Sequence, residues 1–375
     1  MVIGLLKEPQ FEKRVALLPE AVAVLKKMNV DVLVEANSGD SAFVSNADYQ
    51  SAGANVVARD KVISEADVLV RVNSFTVEEI NACKANQVVL GVLNPFQNKD
   101  LINLMVQKSI TSFSLDTIPR ITRAQAMDIL SSMATVSGYR AVLDAALHLP
   151  KFFPMFMSAA GTIKPAKVLI LGAGVAGLQA IATSRKLGAV VEVFDVRTAV
   201  KEEVQSLGGK FIEVEGARDD KSAGGYAVEQ TEEFKQKQRQ LIHDHAVKSN
   251  VVITTAQIPG KKAPILITRE TVEAMLPGSV IIDLAASTGG NCEVTQNGKT
   301  IIHNQVIIIG KSDYPSDMPF DASKMFGNNL INFLKLMITK EGNLHLNFDD
   351  DIVKGTCITH NNQIVNDRVK QIINA

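Results

Sequence analysis

The sequence predicts an α/β protein of two parallel-sheet domains joined by a long helix, with a cleft between them. Three observations carry this expectation. Short apolar runs alternate with helical patterns in two separate series. A stretch with few helix breakers lies between the series. The second series opens on an apolar run that leads directly into a glycine-spaced turn and a helical pattern.

The first series places strands at residues 2–6, 30–34, 68–72, 88–92 and 110–112, and helices at 19–28, 77–85 and 100–107. Alternation of this kind describes a parallel sheet covered on both faces. Residues 125–148 then read as one helix that "LPKFFP" stops. The second series places strands at 168–171, 190–194, 211–214, 251–255 and 279–284. "NGKTIIHNQVIIIG" reads as a hairpin that closes this sheet. A last helix, 322–338, is expected to pack back on the first domain and make it discontinuous. The expected division is 1–128 plus 317–375 for the N-terminal domain and 129–316 for the second. Residues 216–230, "GARDDKSAGGYAVEQ", form a polar loop of a length that is usually functional or mobile; a surface insertion is the alternative.

At 375 residues the chain is long enough for two cores. A net charge of −1 gives no electrostatic reason to expect nucleic acid or an anionic membrane as partner. The N-terminus lacks a basic leader and apolar run, and no segment reaches about 18 uninterrupted apolar residues, so no transmembrane span is expected. Cys83, Cys292 and Cys357 are odd in number and far apart, which suits a reducing compartment and neither a disulfide framework nor a zinc cluster. His243 and His245, two apart on a helix, point to different faces, and no metal site is expected.

"KVLILGAGVAGLQAIATSRKLGAVVEVFDVR" supplies strand, turn, helix and second strand around Gly172, Gly174 and Gly177. The first glycine permits the tight turn, the second lets backbone approach a pyrophosphate, and the third packs helix on strand. The helix N-terminus offers N–H groups and a positive dipole end to the phosphates. Asp195 ends the second strand, where a carboxylate accepts from an adenosine 2′-hydroxyl and repels a 2′-phosphate, favouring NAD(H) over NADP(H). Arg197 is either a phosphate partner or a surface charge. Two Rossmann-like domains are thus expected, with the dinucleotide on the second; FAD is the rival ligand, and nothing else in the chain supports it.

This segment together with "RAQAMDILSS", "AGGYA", "VVITTAQIPGKKAP", "IIDLAASTGGNCE" and "NNLINFLKLM" closely resembles the NAD(H)-binding component, domain I, of proton-translocating NAD(P)+ transhydrogenases. The likeness runs through most of the chain. The fold is shared with alanine dehydrogenases and saccharopine-type enzymes. In alanine dehydrogenases an Arg, a Lys, a His and an Asp line the oxoacid site. Arg14 matches the Arg, but Asn73 stands at the Lys position, Asn94 at the His position and Ser287 at the Asp position. Oxidising an amino or hydroxy acid requires a proton acceptor and cations for the carboxylate, and Asn supplies neither. Hydride exchange between two nicotinamides needs no acid or base, only two rings held at about 3–3.5 Å.

The resemblance implies a Re/Si-specific, proton-translocating enzyme in which this chain holds NAD(H) and exchanges hydride with NADP(H) on a partner component. It assigns Arg120, Gln125, Ala126, Met127, Asp128 and Ser131 to the nicotinamide side, and Asp195, Val196 and Arg197 to the adenosine. Val175 belongs to the glycine-rich turn, Gly225, Gln238 and Gln257 to further nucleotide contacts, and Tyr226 to a loop closing over bound nucleotide. Without the resemblance, three polar residues at helical spacing would read as a solvated face, Gln238 as plain surface and Tyr226 as a loop anchor. The implied partners are the NADP(H)-binding beta component and a transmembrane component, with a homodimer of this chain. The implied location is the cytoplasmic or matrix side, peripheral to the membrane through those subunits. The alternatives are an amino- or oxo-acid dehydrogenase like alanine dehydrogenase, and a catalytically silent NAD(H) sensor.

Overall fold

The structure, a computed structural model, describes residues 1–214, 232–258 and 261–373. The chain divides into two compact units, Met1–Met133 with Pro315–Ala375, and Ala134–Tyr314. The division falls inside the helix Ile129–His148.

In the first unit six strands, β1 (Val2–Leu5), β2 (Asp31–Glu35), β3 (Asn55–Val57), β4 (Val68–Val70), β5 (Val88–Gly91) and β6 (Thr111–Ser114), pair in parallel in the order β3-β2-β1-β4-β5-β6. Successive side chains of a strand point to opposite faces. Val68 and Val70 therefore join Ile3, Leu5, Val32 and Leu90 in a core on one face. Leu69 joins Leu33 and Val89 on the other. Burial on both faces is why β1, β2, β4 and β5 read as apolar runs.

Two short strands follow, β7 (Phe156–Ser158) and β8 (Gly161–Ile163), as an exposed antiparallel hairpin that the sequence pattern missed. The second unit is built on β9 (Lys167–Leu171), β10 (Val190–Phe194), β11 (Lys210–Ile212), β12 (Val251–Thr254), β13 (Val280–Asp283), β14 (Lys299–His303) and β15 (Val306–Gly310), ordered β11-β10-β9-β12-β13-β15-β14. All pairings are parallel except the closing hairpin β14–β15. Asn304 and Gln305, at φ of 47° and 63°, make its turn. The same alternation splits Val168, Ile170, Val251 and Ile253 from Leu169, Leu171 and Val252 into two cores.

The chain then returns to the first sheet, where β16 (Cys357–His360) pairs antiparallel with β6, and β17 (Gln363–Ile364) pairs with β16. Asn361 and Asn362, at φ of 48° and 59°, turn this hairpin. The helix expected over 322–338 runs Pro319–Leu334 instead, with proline in its first turn, where the missing N–H costs nothing. The helix expected from Gln125 begins at Ile129, behind a 3-10 segment Thr122–Met127. Asp128 sets that boundary: its Oδ1 accepts from the Ser131 backbone N–H at 3.0 Å and its Oδ2 from the Ser131 hydroxyl at 2.6 Å, an N-cap. No helix among the described residues is long and apolar enough to cross a membrane.

Candidate functional site

The turn after β9 shows a distinct physical demand at each glycine. Gly172 sits at φ 105°, and a Cβ there would meet the Thr255 hydroxyl at 2.4 Å. Gly177 lies in the helix Val175–Lys186, and its Cβ would strike the Gly172 carbonyl oxygen at 1.9 Å. Gly174 differs: its φ of −78° suits any residue, and a Cβ would meet nothing within 4 Å. Gly174 is the N-cap of this helix and has no side chain to cap it, an arrangement that suits an anion at the first N–H groups beside the half-exposed Val175.

Asp195 follows β10 and is buried. Its Oδ2 accepts from the Ala173 backbone N–H in the glycine turn at 2.7 Å and from Arg197 Nη2 at 2.7 Å. Its Oδ1 accepts from Arg197 N and Nε at 2.8 and 2.9 Å. A carboxylate has about four acceptor sites, and here each meets a donor. Arg197 therefore folds back onto Asp195. Val196, between them, packs partly buried against the second unit's core.

A second carboxylate, which pattern reading passed over, organises the ends of β12 and β13. Asp283 is fully buried and accepts from Thr254 Oγ1 (3.0 Å), the backbone N–H groups of Ala285 (3.0 Å), Asn291 (2.8 Å) and Cys292 (3.0 Å), and Thr295 Oγ1 (2.8 Å). Its signal in the sequence was one acid ending the run "VIID" ahead of paired glycines. Gly289 and Gly290, at φ of 105° and 78°, let the backbone wrap it. Asn291 then bonds the Ala256 N–H and carbonyl at 3.0 and 2.9 Å, and Gln257 Nε2 donates to the Leu284 carbonyl at 3.0 Å. Ser287 donates its backbone N–H to Ser312 Oγ at 3.1 Å.

In the first unit, Ala124 and Met127 are buried against Phe326 and Leu330, while Arg120, Gln125 and Ala126 are exposed. The 3-10 turn thus anchors by two side chains and presents Gln125 outward. Arg123 pairs with Asp350 at 2.6 and 3.0 Å, and its hydrogen bonds hold the Asp350 carboxyl below the ordinary range. Asn329 and Asn332 Nδ2 both donate to the Ala126 carbonyl, at 2.8 and 3.1 Å.

Arg14, Asn73 and Asn94, three of the four positions that the resemblance sets against the oxoacid site of alanine dehydrogenases, are also in this unit, and Ser287 is in the other. Arg14 is forked onto Glu12 by Nε at 2.8 Å and Nη2 at 2.6 Å. Burial pushes the Glu12 carboxyl up, but Arg14 and Asn73 together bring it net below the ordinary range. The Asn73 amide bridges Glu8 and Glu12 at 3.0 and 3.1 Å. Asn94 adopts φ 47°. Its backbone N–H and the Ser114 hydroxyl bond Asp116, whose carboxyl burial nonetheless holds above the ordinary range.

The described candidates thus form two groups. Arg120, Gln125, Ala126, Met127, Asp128 and Ser131 lie in the first unit; Gly172, Gly174, Val175, Gly177, Asp195, Val196, Arg197, Gln238 and Gln257 lie in the second. Gln238 is half-buried on the helix Glu232–Ala246. Gly225 and Tyr226 lie outside the described residues. His243 and His245 have separate partners, Thr271 and Glu192. No group of three potential metal ligands occurs among the described residues. Burial pushes the free thiols up, to about 11 for Cys292 and about 12 for Cys83 and Cys357.

Residues 4–137 match the family described as alanine dehydrogenase/PNT, N-terminal domain, and residues 141–367 its C-terminal domain. The chain is 43% identical over 366 residues to a Haemophilus influenzae protein named NAD(P) transhydrogenase subunit alpha, covering 97% of this chain and 71% of that one. A crystal structure of transhydrogenase from Sinorhizobium meliloti superposes with a TM-score of 0.89 at 41% identity, covering 97% of this chain and 100% of that one. L-alanine dehydrogenase, at 23% identity and TM-score 0.84, covers 100% of this chain and 99% of its own and shares the fold.

Proposed function

The chain belongs to the alanine dehydrogenase/PNT family, and on that premise we propose that it is the NAD(H)-binding component of a proton-translocating transhydrogenase. One observation carries the choice between the family's two chemistries. Where the dehydrogenases hold Lys, His and Asp, this chain holds Asn73, Asn94 and Ser287, and its matching cation, Arg14, is neutralised by Glu12.

The open space at Gly174 and the uncapped helix behind it fit a pyrophosphate. When bound, NAD(H) gives or takes a hydride at the nicotinamide C4. The chain's own groups bind and orient. Gly172, Gly174, Val175 and Gly177 receive the phosphates. Asp195 accepts from the adenosine ribose once Arg197 yields one of its bonds. Val196, Gly225, Gln238 and Gln257 complete the nucleotide contacts. Arg120, Gln125, Ala126, Met127, Asp128 and Ser131 hold the nicotinamide end, and Tyr226 closes over it. No group here has to move a proton, in keeping with transfer from one C4 to another. NADP(H), the transmembrane component and the proton path belong to partner polypeptides. The chain pairs as a homodimer and works peripherally to the membrane, on its cytoplasmic or matrix side.

Mixing the purified chain with an NADP(H)-binding transhydrogenase component should support reduction of acetylpyridine adenine dinucleotide by NADPH. The second reading, an oxoacid dehydrogenase, draws on Asp116, whose raised carboxyl lies beside Asn94. It requires NADH oxidation with some 2-oxoacid plus ammonia. Turnover there without hydride exchange would replace the first reading with the second; binding without either would favour a sensor.

A further inference from the structure

The segment "NNLINFLKLM" carries two asparagines that meet the nicotinamide-side loop. Asn329 and Asn332, three apart on the helix Pro319–Leu334, lie on one face of it. Both amides donate to a single acceptor, the Ala126 carbonyl. Only the NH2 end of an amide donates to a carbonyl, so their orientation is fixed by chemistry. That carbonyl follows Gln125 by one residue, and two donors converging on it fix the plane of the peptide between Ala126 and Met127. The neighbouring points of the loop are held otherwise: Arg123 by Asp350, and the helix start by the Asp128 cap. The two asparagines secure the middle.

Stability alone does not explain Asn329. The residue is 7% exposed, and its Oδ1 is buried without a hydrogen-bond partner among the described residues. A buried amide satisfied on one side only carries a desolvation cost of about 1–3 kcal/mol. A side chain without that amide would not carry it.

We propose that Asn329, assisted by Asn332, is a positioning residue for hydride transfer: it holds the Ala126 carbonyl so that Gln125 presents its side chain to the nicotinamide. This rests on the transhydrogenase reading above. A misplacement of the order of 1 Å in a hydride-transfer site costs up to about 100-fold in rate, and loss of one of two donors should cost less.

The test compares wild type, Asn329→Leu and Asn332→Ala for transfer from NADPH on the partner component to acetylpyridine adenine dinucleotide, for NADH affinity by fluorescence titration, and for Tm. Asn329→Leu, where it folds, should hold the NADH Kd within about twofold and slow transfer about tenfold. Asn332→Ala, at the half-buried second donor, should slow it about threefold. An active wild type with an unchanged rate in Asn329→Leu overturns the inference and leaves the functional reading standing. Equal loss of rate and NADH affinity also overturns it, making Asn329 a general support. Should Asn329→Leu fail to fold, Asn332→Ala decides alone: slower transfer at wild-type affinity supports the proposal, and an unchanged rate overturns it. A wild type inactive with the partner but binding NADH fails the functional reading itself.

Discussion

Around Asp195, four donors occupy the four acceptor sites of one carboxylate, and three of those donors come from Arg197. A ribose hydroxyl can enter only by exchange, and the backbone donors of Ala173 and Arg197 are fixed by the chain. The exchangeable partner is the Arg197 guanidinium. Asp195→Ala should weaken NADH about tenfold, the worth of one hydrogen bond to a charged group, and narrow the preference over NADPH; unchanged titration curves for both would refute the contact. Asp116 makes a different prediction. Its folded carboxyl titrates above its unfolded value because of burial. The cost of charging it is absent at pH below the unfolded range, grows as pH rises, and is complete above the folded value. Asp116→Asn should therefore raise Tm by about 1–3 °C at pH 8 and leave it unchanged near pH 3; a Tm lowered at pH 8 would count against it. The spacing from Gly177 made Asp195 legible in the sequence. Its saturation was not, because that depends on which way Arg197 turns. Asn73 and Asn94 stand out only against a resemblance, whereas the Glu12 clamp on Arg14 depends on how the Arg14 side chain folds back.

Among elements, the glycine turn separates folding from binding. Gly177→Ala drives a methyl into the Gly172 carbonyl and should destabilise by about 3 kcal/mol, the upper end of overpacking. Gly174→Ala has room and ordinary dihedrals, so Tm should stay within about 2 °C while NADH affinity falls at least tenfold. Thermal melts with NADH titrations of the two variants would check both, and equal Tm losses would refute the distinction. Apolar runs buried on both faces announced the inner strands of each sheet. The elements they did not announce are those whose signal is weak: β3 has three residues, β7 and β8 are wholly exposed, and β16 and β17 intersperse Thr, His and Gln. The helix start was misplaced by four residues because the periodic pattern of Gln125 continues through a 3-10 turn, and only the Asp128 cap reveals the true first turn.

For the molecule as a whole, each unit has its own pair of cores, one on either face of its sheet. Saturating NADH should therefore slow hydrogen exchange around Gly172–Gly177 and the ends of β10 and β12, while β2 and β3 exchange as in the free protein. Protection spread evenly over both sheets would refute a nucleotide site seated on the second unit. The discontinuity of the first unit was legible from a single helical stretch far along the chain, but its reason lies in the sheet, where β6 waits for β16. Residues 115–356 separate these two neighbours, and the entire inserted unit lies between them. On the ribosome, the inserted unit is therefore fully synthesised before the first sheet can be completed. Until β16 emerges, β6 has an unpaired edge, open to any passing strand.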